Sequence, residues 1–237
     1  MHPIQTELAL ANRALSNEGV IDAFGHVSCR HPENPDRFLL ASALPPIAVR
    51  PEDINEYDAD GTPLTGVDRP HYGEIVIHSE IYRARPDVTA ICHHHAEAIM
   101  PYCMTDTVLR PVCQTGALMG NRVAVWDSQD DFGDTNLLLT TADHGRSLAQ
   151  ALGPDWLVLM RRHGATVVGR SLHEMTFRAM ATVANARLQT AAAGLGPVET
   201  LTDGEIALIS DPRPSPVARN WAYAMTRLAL AEGRTPG

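Results

Sequence analysis

The sequence predicts a layered domain of the α/β or α+β kind, with helices alternating with short strands. Three observations predict it. Apolar residues recur at helical spacing in residues 5–17, 73–84 and 171–193. Short apolar or β-branched runs at 27–30, 38–41, 88–95 and 156–160 have the length of strands. The chain has 237 residues, 44% of them hydrophobic, enough for one substantial core, so residues 1–237 read as a single domain.

The first helix, 5–17, presents Leu8, Leu10, Ala11 and Leu15 on an apolar face and breaks near Gly19. Strands follow around 27–30 and 38–41. Pro45, Pro46 and Pro51 punctuate a loop, and Asp60-Gly61 marks a turn. The helix at 73–84 carries Ile75, Val76, Ser79 and Tyr82 at helical spacing. It stops at Arg85-Pro86-Asp87, because the residue before a proline is biased away from helix. A central strand at 88–95, a short helix at 145–152 and a buried strand at 156–160 come next. The helix at 171–193 opens on Ser171, with Glu174 three residues on as in a capping box, and ends at Gly194. A last helix is expected near 217–231. There is no internal repeat.

A net charge of -9 argues against binding nucleic acid or an anionic membrane through bulk electrostatics. No apolar stretch approaches the roughly 20 residues of a membrane span. The opening residues lack a basic region followed by an apolar run, and Cys29, Cys92, Cys103 and Cys113 show no CxxC spacing. These features fit a cytoplasmic protein with reduced, buried thiols.

The densest chemistry is Ile91-Cys92-His93-His94-His95-Ala96-Glu97. At a strand end, side chains alternate, so His93 and His95 share a face and His94 points away. Two imidazoles so placed can reach one metal ion, and imidazole suits Zn, Fe, Ni and, less selectively, Mn. The best third ligand is His163, which also ends a buried strand. Three histidines with open positions are the layout of a catalytic metal site. The competing reading is a pair of surface histidines beside a core strand. Glu74 opens the helix leading into the histidine strand, so its carboxylate can serve as acid and base over the site. By residue type alone it can equally be stabilising the helix dipole. His78 reads as a packed helix residue, and His2, His31 and His173 as surface residues, while His71 and His144 are undecided.

The chain resembles the class II aldolase/adducin family. Gly25-His26-Val27-Ser28-Cys29-Arg30 is similar to that family's glycine-asparagine/histidine-x-serine-x-arginine signature. Glu74, His78, Tyr82, Arg85-Pro86-Asp87 and His93-x-His95 follow its central motif, and Arg162-His163-Gly164 its third-histidine element. The resemblance implies a three-layer αβα fold with a central, largely antiparallel sheet, and a homotetramer with sites near subunit boundaries. It implies His93, His95 and His163 as ligands of a divalent ion (Zn, Mn, Fe or Co) and Glu74 as the acid-base residue.

Tyr72-Gly73 stands where phosphosugar-cleaving members carry a serine pair, and no glycine follows Ser42, so phosphosugar chemistry is disfavoured. Tyr72-Gly73-Glu74, Arg110-Pro111-Val112 and Gly133-Asp134-Thr135-Asn136-Leu137-Leu138 look like the family's decarboxylase branch, which acts on hydroxylated aromatic or pyridine dicarboxylates. The implied reaction is non-oxidative decarboxylation of a small carboxylate through a metal-stabilised enolate. Tyr72, His26, Ser28 and Arg30 are the expected substrate contacts, Arg30 pairing with a second carboxylate or else holding a structural ion pair. Arg161 and Arg162 flank a ligand, and strand alternation lets at most one of them face it. Trp221 and Tyr223 are candidates for contribution to a neighbouring subunit. Two further readings stay open: an aldolase for a non-phosphorylated hydroxy-keto acid, and a non-catalytic module like the adducin head.

Overall fold

The computed structural model describes residues 2–235. The helices are α1 (Pro3–Asn17), α2 (Ile75–Ala84), α3 (Met100–Met104), α4 (Ser128–Phe132), α5 (Ala142–Leu152), α6 (Leu172–Ala193), α7 (Asp203–Ile209) and α8 (Pro214–Ala231). The strands are β1 (His26–Arg30), β2 (Arg37–Ala41), β3 (Ile54–Asp58), β4 (Ala90–His94), β5 (Ala124–Trp126), β6 (Leu157–Met160) and β7 (Gly164–Gly169). They form one sheet in the order β3-β2-β1-β4-β7-β6-β5. Every neighbouring pair is antiparallel except β5 with β6.

Strand alternation divides the core into two layers. Val27, Cys29, Ala90, Cys92, Leu157, Leu159, Ala165 and Val167 meet Leu8, Ala11, Leu15, Met175, Ala179 and Val183 of α1 and α6. Phe38, Leu40, Ile91, Val158, Met160 and Val168 meet Ile77, Ile81, Leu148 and Leu152 of α2 and α5 on the other face. Each fully buried aliphatic side chain contributes about 1.5–3 kcal/mol. The result is the expected αβα sandwich with a largely antiparallel sheet. The α2–α5 approach depends on Gly145, where a Cβ would lie 2.4 Å from the Val76 carbonyl oxygen.

The differences from the sequence expectations have local causes. Helix α1 starts two residues early because Pro3 sits in its first turn and His2 and Gln5 form a reciprocal cap. Ser171 Oγ accepts from the Glu174 N–H at 3.0 Å, but the Glu174 carboxylate turns to buried Arg178, so the second half of that capping box is absent. Strands β3, β5 and β7 lie where no strand was expected. β3 reads Ile-Asn-Glu-Tyr-Asp at a sheet edge, β5 has three residues, and β7 is bounded by glycines. Among the described residues, no helix is long and apolar enough to cross a membrane. Cys29, Cys92 and Cys103 are buried and Cys113 is half-buried, all as free thiols.

Candidate metal centre

The face of the sheet that packs against α2 becomes polar at one end. Antiparallel β1 and β4 place His26 opposite His93, and β4 and β7 place His93 opposite Thr166. His95 follows the last residue of β4, and its ring returns to the His93 side, with Nε2 of the two rings 3.0 Å apart. His94 points to the opposite layer, where its Nδ1 accepts from the Ala96 N–H and its Nε2 is buried without a partner. His163 reaches the cluster from the tight turn between β6 and β7. The turn is pinned by Arg162, whose φ of 60° puts a non-glycine residue in the left-handed region. The Arg162 guanidinium holds Asp127 with two bonds of 2.7 and 2.8 Å, which stabilises that turn.

Glu74 occupies the N-cap of α2 but makes no capping bond. Its Oε1 accepts from the Leu139 N–H at 3.0 Å, and the carboxylate leans over the histidines. His93 Nε2 and His163 Nε2 are each 3.7 Å from it. One ligand atom from each of Glu74, His93, His95 and His163 lies within 4.8 Å of all the others. Tetrahedral ligands about 2.0–2.1 Å from a cation sit about 3.4 Å from one another, so this donor set has the spacing a small divalent ion requires.

The electrostatics agree with that donor set. Burial holds His93 well below the usual histidine pKa, reinforced by His26 and the neighbouring histidines, and lowers His163 to about 4. Both are therefore neutral at pH 7, the form that donates a lone pair. Burial raises the Glu74 carboxyl above the usual carboxylate pKa, against the opposing Leu139 N–H and His95.

Outer contacts orient these rings. His95 Nδ1 is 3.1 Å from Asp22 Oδ1, and His93 Nδ1 is 3.2 Å from Thr166 Oγ1. Such partners select the ring tautomer that points its other nitrogen inward. Burial pushes the Asp22 carboxyl up, but hydrogen bonds from His95 and the Phe24 and Gly25 N–H groups outweigh it and leave it low. Sequence reasoning missed Asp22 and Thr166. The Asp-x-x-Gly turn signal was present at Asp22, whereas Thr166 becomes meaningful only through its register with His93. Gly164 permits the close approach, since a Cβ there would lie 2.4 Å from the His94 carbonyl oxygen and 2.8 Å from the His95 ring.

Several expected substrate contacts are engaged elsewhere. Arg30 donates to the carbonyls of Val88, Pro35, Tyr82 and Arg85 and lies over the Tyr82 ring, contacts that tie β1 to the end of α2. It lines a separate surface concavity with Phe38 and Arg83. Ser28 is fully buried between His78 Nδ1 and the Tyr82 hydroxyl, out of reach of a ligand. Tyr72 donates its hydroxyl to the Leu44 carbonyl and offers the site only its ring, 4.5 Å from His26. His26 is buried beside His93, ring centroids 5.0 Å apart. Neither arginine of the turn faces the cluster: Arg161 holds Asp106 and the Thr105 carbonyl, while Arg162 holds Asp127. Trp221 stacks on His173 of its own chain at 4.1 Å, and Tyr223 is exposed beside Arg227.

Comparison with known proteins extends these observations. Residues 6–190 match the Class II Aldolase and Adducin N-terminal domain. Decarboxylase tropJ from Talaromyces stipitatus is 36% identical over 205 residues, covering 80% of this chain and 76% of that protein. A 3,4-dihydroxyphthalate decarboxylase from Arthrobacter keyseri is 27% identical, with 94% of this chain and 93% of the relative covered. The crystal structure of an aldolase II superfamily protein from Pseudomonas syringae superposes with a TM-score of 0.81 at 24% identity, covering 100% of this chain and 98% of that one, a likeness of fold. With most of its length matched and decarboxylases among its relatives, the chain belongs to the class II aldolase and adducin family.

Proposed function

We propose that the protein is a divalent-metal-dependent decarboxylase of hydroxylated aromatic or pyridine (di)carboxylates, with His93, His95 and His163 as ligands and Glu74 as the acid. The observation that carries this reading is the convergence of three inward imidazole nitrogens on a buried carboxyl. The decarboxylase relatives support the reaction class. The 237 residues contain no lysine, so holding carbanionic charge through a lysine Schiff base is not open to them. A zinc, manganese, iron or cobalt ion bound there would act as a Lewis acid for negative charge on substrate oxygens.

The chain's own residues do the rest. Asp22 and Thr166 keep the ligand rings oriented. The Leu139 N–H fixes Glu74 Oε1 and so directs Oε2 toward the space over the histidines. Protonated Glu74 gives its proton to the ring carbon bearing the carboxylate. The bond from that carbon to the carboxylate then breaks, carbon dioxide leaves and the ring regains aromaticity. One proton is consumed overall, and solvent restores it to Glu74. The Ser42 hydroxyl, donating to the Asp53 carbonyl and accepting from Asn55, is engaged within the fold, which argues further against a phosphate-bearing substrate.

The reading extends to a small carboxylate substrate, a cytoplasmic location and a homotetramer. Exposed Phe24, two residues from Asp22, is an apolar group that a subunit contact near the site would cover. The test is to load metal-free protein with Zn or Mn and follow carbon dioxide release from a panel of hydroxyaromatic dicarboxylates. Release that requires metal and is lost in Glu74→Gln supports the proposal. Release of a carbonyl fragment instead would assign an aldolase, and no bound metal would remove the lyase reading.

A further inference from the structure

Beneath the histidine cluster, four polar side chains form a continuous chain. His26 and Ser28 alternate onto one face of β1, and His78 and Tyr82 lie one turn apart on α2, so the two pairs face each other. The Tyr82 hydroxyl is 2.8 Å from Ser28 Oγ, Ser28 Oγ is 2.7 Å from His78 Nδ1, and His78 Nε2 is 2.7 Å from His26 Nδ1. His26, Ser28 and His78 are at most 1% exposed and Tyr82 5%.

We infer that Tyr82, Ser28 and His78 form a one-way hydrogen-bond chain that fixes His26 with its proton on Nε2, presenting an N–H donor to an anionic oxygen of the substrate. The direction follows from counting hydrogens. Among the described residues the Tyr82 hydroxyl has Ser28 as its only hydrogen-bond partner, and Ser28 Oγ meets only Tyr82 and His78. If Tyr82 donates to Ser28, Ser28 to His78 Nδ1, and His78 Nε2–H to His26 Nδ1, every hydrogen between Tyr82 and His26 has an acceptor. If the proton between the rings belongs to His26 Nδ1, then His78 must donate to Ser28. Either the Ser28 or the Tyr82 hydroxyl hydrogen is then buried without an acceptor, which native interiors avoid.

With Nδ1 of His26 occupied as an acceptor, the neutral ring carries its hydrogen on Nε2. That atom has no protein partner, yet it is not sealed from solvent as His94 Nε2 is. The ring sits between those of Tyr72 and His93, beside the proposed ligands. Its lone pair is therefore unavailable to a cation, and His26 stands outside the four residues whose ligand atoms converge. The group it can recognise is an acceptor: a carboxylate or phenolate oxygen, not an amine. Ser28, His78 and Tyr82 are positioning residues acting through His26. The substrate half of this inference rests on the proposed decarboxylase reading, whereas the tautomer does not.

The experiment is nitrogen NMR of the zinc-loaded full chain labelled with 15N-histidine, titrated with 2-hydroxybenzoate. The expected result is that His26 and His78 both carry hydrogen on Nε2 and not on Nδ1, and that the ligand shifts the His26 Nε2–H signal. Ser28→Ala leaves a buried hydrogen unpaired in either direction, so His26 becomes a mixture of tautomers, an effect that a purely packing role for Ser28 would not produce. His26→Gln, which keeps an N–H donor, retains 2-hydroxybenzoate binding, and His26→Met weakens it about tenfold. Hydrogen on His26 Nδ1 in the wild type overturns the inference. So does a His26 signal that ignores the ligand while His93 and His95 respond, and that result leaves the metal-centred reading standing. No response anywhere removes the hydroxyaromatic reading and the donor role together.

Discussion

The metal-free protein should be acid-labile well above the pH at which its carboxylates titrate. Burial lowers His78 and His94 to about 3 and His163 to about 4, whereas an unfolded chain returns each to the usual 6.5. Between those values the unfolded state binds more protons than the folded one. Stability is therefore fully present above about pH 6.5 and is lost as the pH falls toward the folded values. At about pH 5 each group contributes about 2 kcal/mol less than at about pH 7, or about 6 kcal/mol for the three. That is comparable with the whole stability of a typical domain, about 5–15 kcal/mol. His26 and His93, also lowered by burial, act in the same direction. Glu74, raised by burial, acts in the opposite direction.

Urea unfolding of metal-free protein, repeated at about pH 7, 6 and 5, reads this directly as a falling free energy with a slope of several protons. His94→Gln, on the side away from the cluster, should lower that slope by about one proton. A wild-type unfolding free energy that is the same at about pH 5 and about pH 7, within about 1 kcal/mol, would refute the reasoning, because it would mean that these rings protonate without opening the core.

Three further outcomes are expected. Glu74→Gln should reduce carbon dioxide release by about 10²–10⁴-fold while retaining metal, read by kinetics alongside elemental analysis. Asp22→Asn keeps a side-chain oxygen for the Phe24 and Gly25 N–H groups but removes the charge facing His95, so zinc affinity measured by chelator competition should fall about 10–100-fold. Gly164→Ala places a methyl against the His94 carbonyl and the His95 ring, costing about 1–3 kcal/mol in thermal unfolding and lowering metal occupancy.

Much of the fold could be read locally. Amphipathic spacing located α1, α2 and α6 within a few residues, and apolar runs located β1, β2, β4 and β6. The strands that escaped notice are those whose identity depends on a partner. β3 is a polar edge strand that pairs with β2, β5 exists through its parallel pairing with β6, and β7 is the return arm of a turn. His163 illustrates the same limit. Expected at the end of a strand, it sits in the turn after β6, aimed by a left-handed Arg162 and by Asp127, which is 36 residues away in sequence.

The sequence by itself located the residues that converge as a candidate metal centre, because His93 and His95 lie two residues apart at the end of β4 and the Glu74 helix leads straight into that strand. Residue type could not tell which polar groups are free to meet a ligand. Arg30 and Ser28 have the chemistry of substrate contacts, yet four carbonyls claim the first, and His78 with Tyr82 claim the second. Asp22 and Thr166 carry no metal-site signature, yet they orient His95 and His93. Tertiary structure decided these roles because a buried polar group must find a partner, and that partner is set by the register of β1, β4 and β7 and by the helix packed over them.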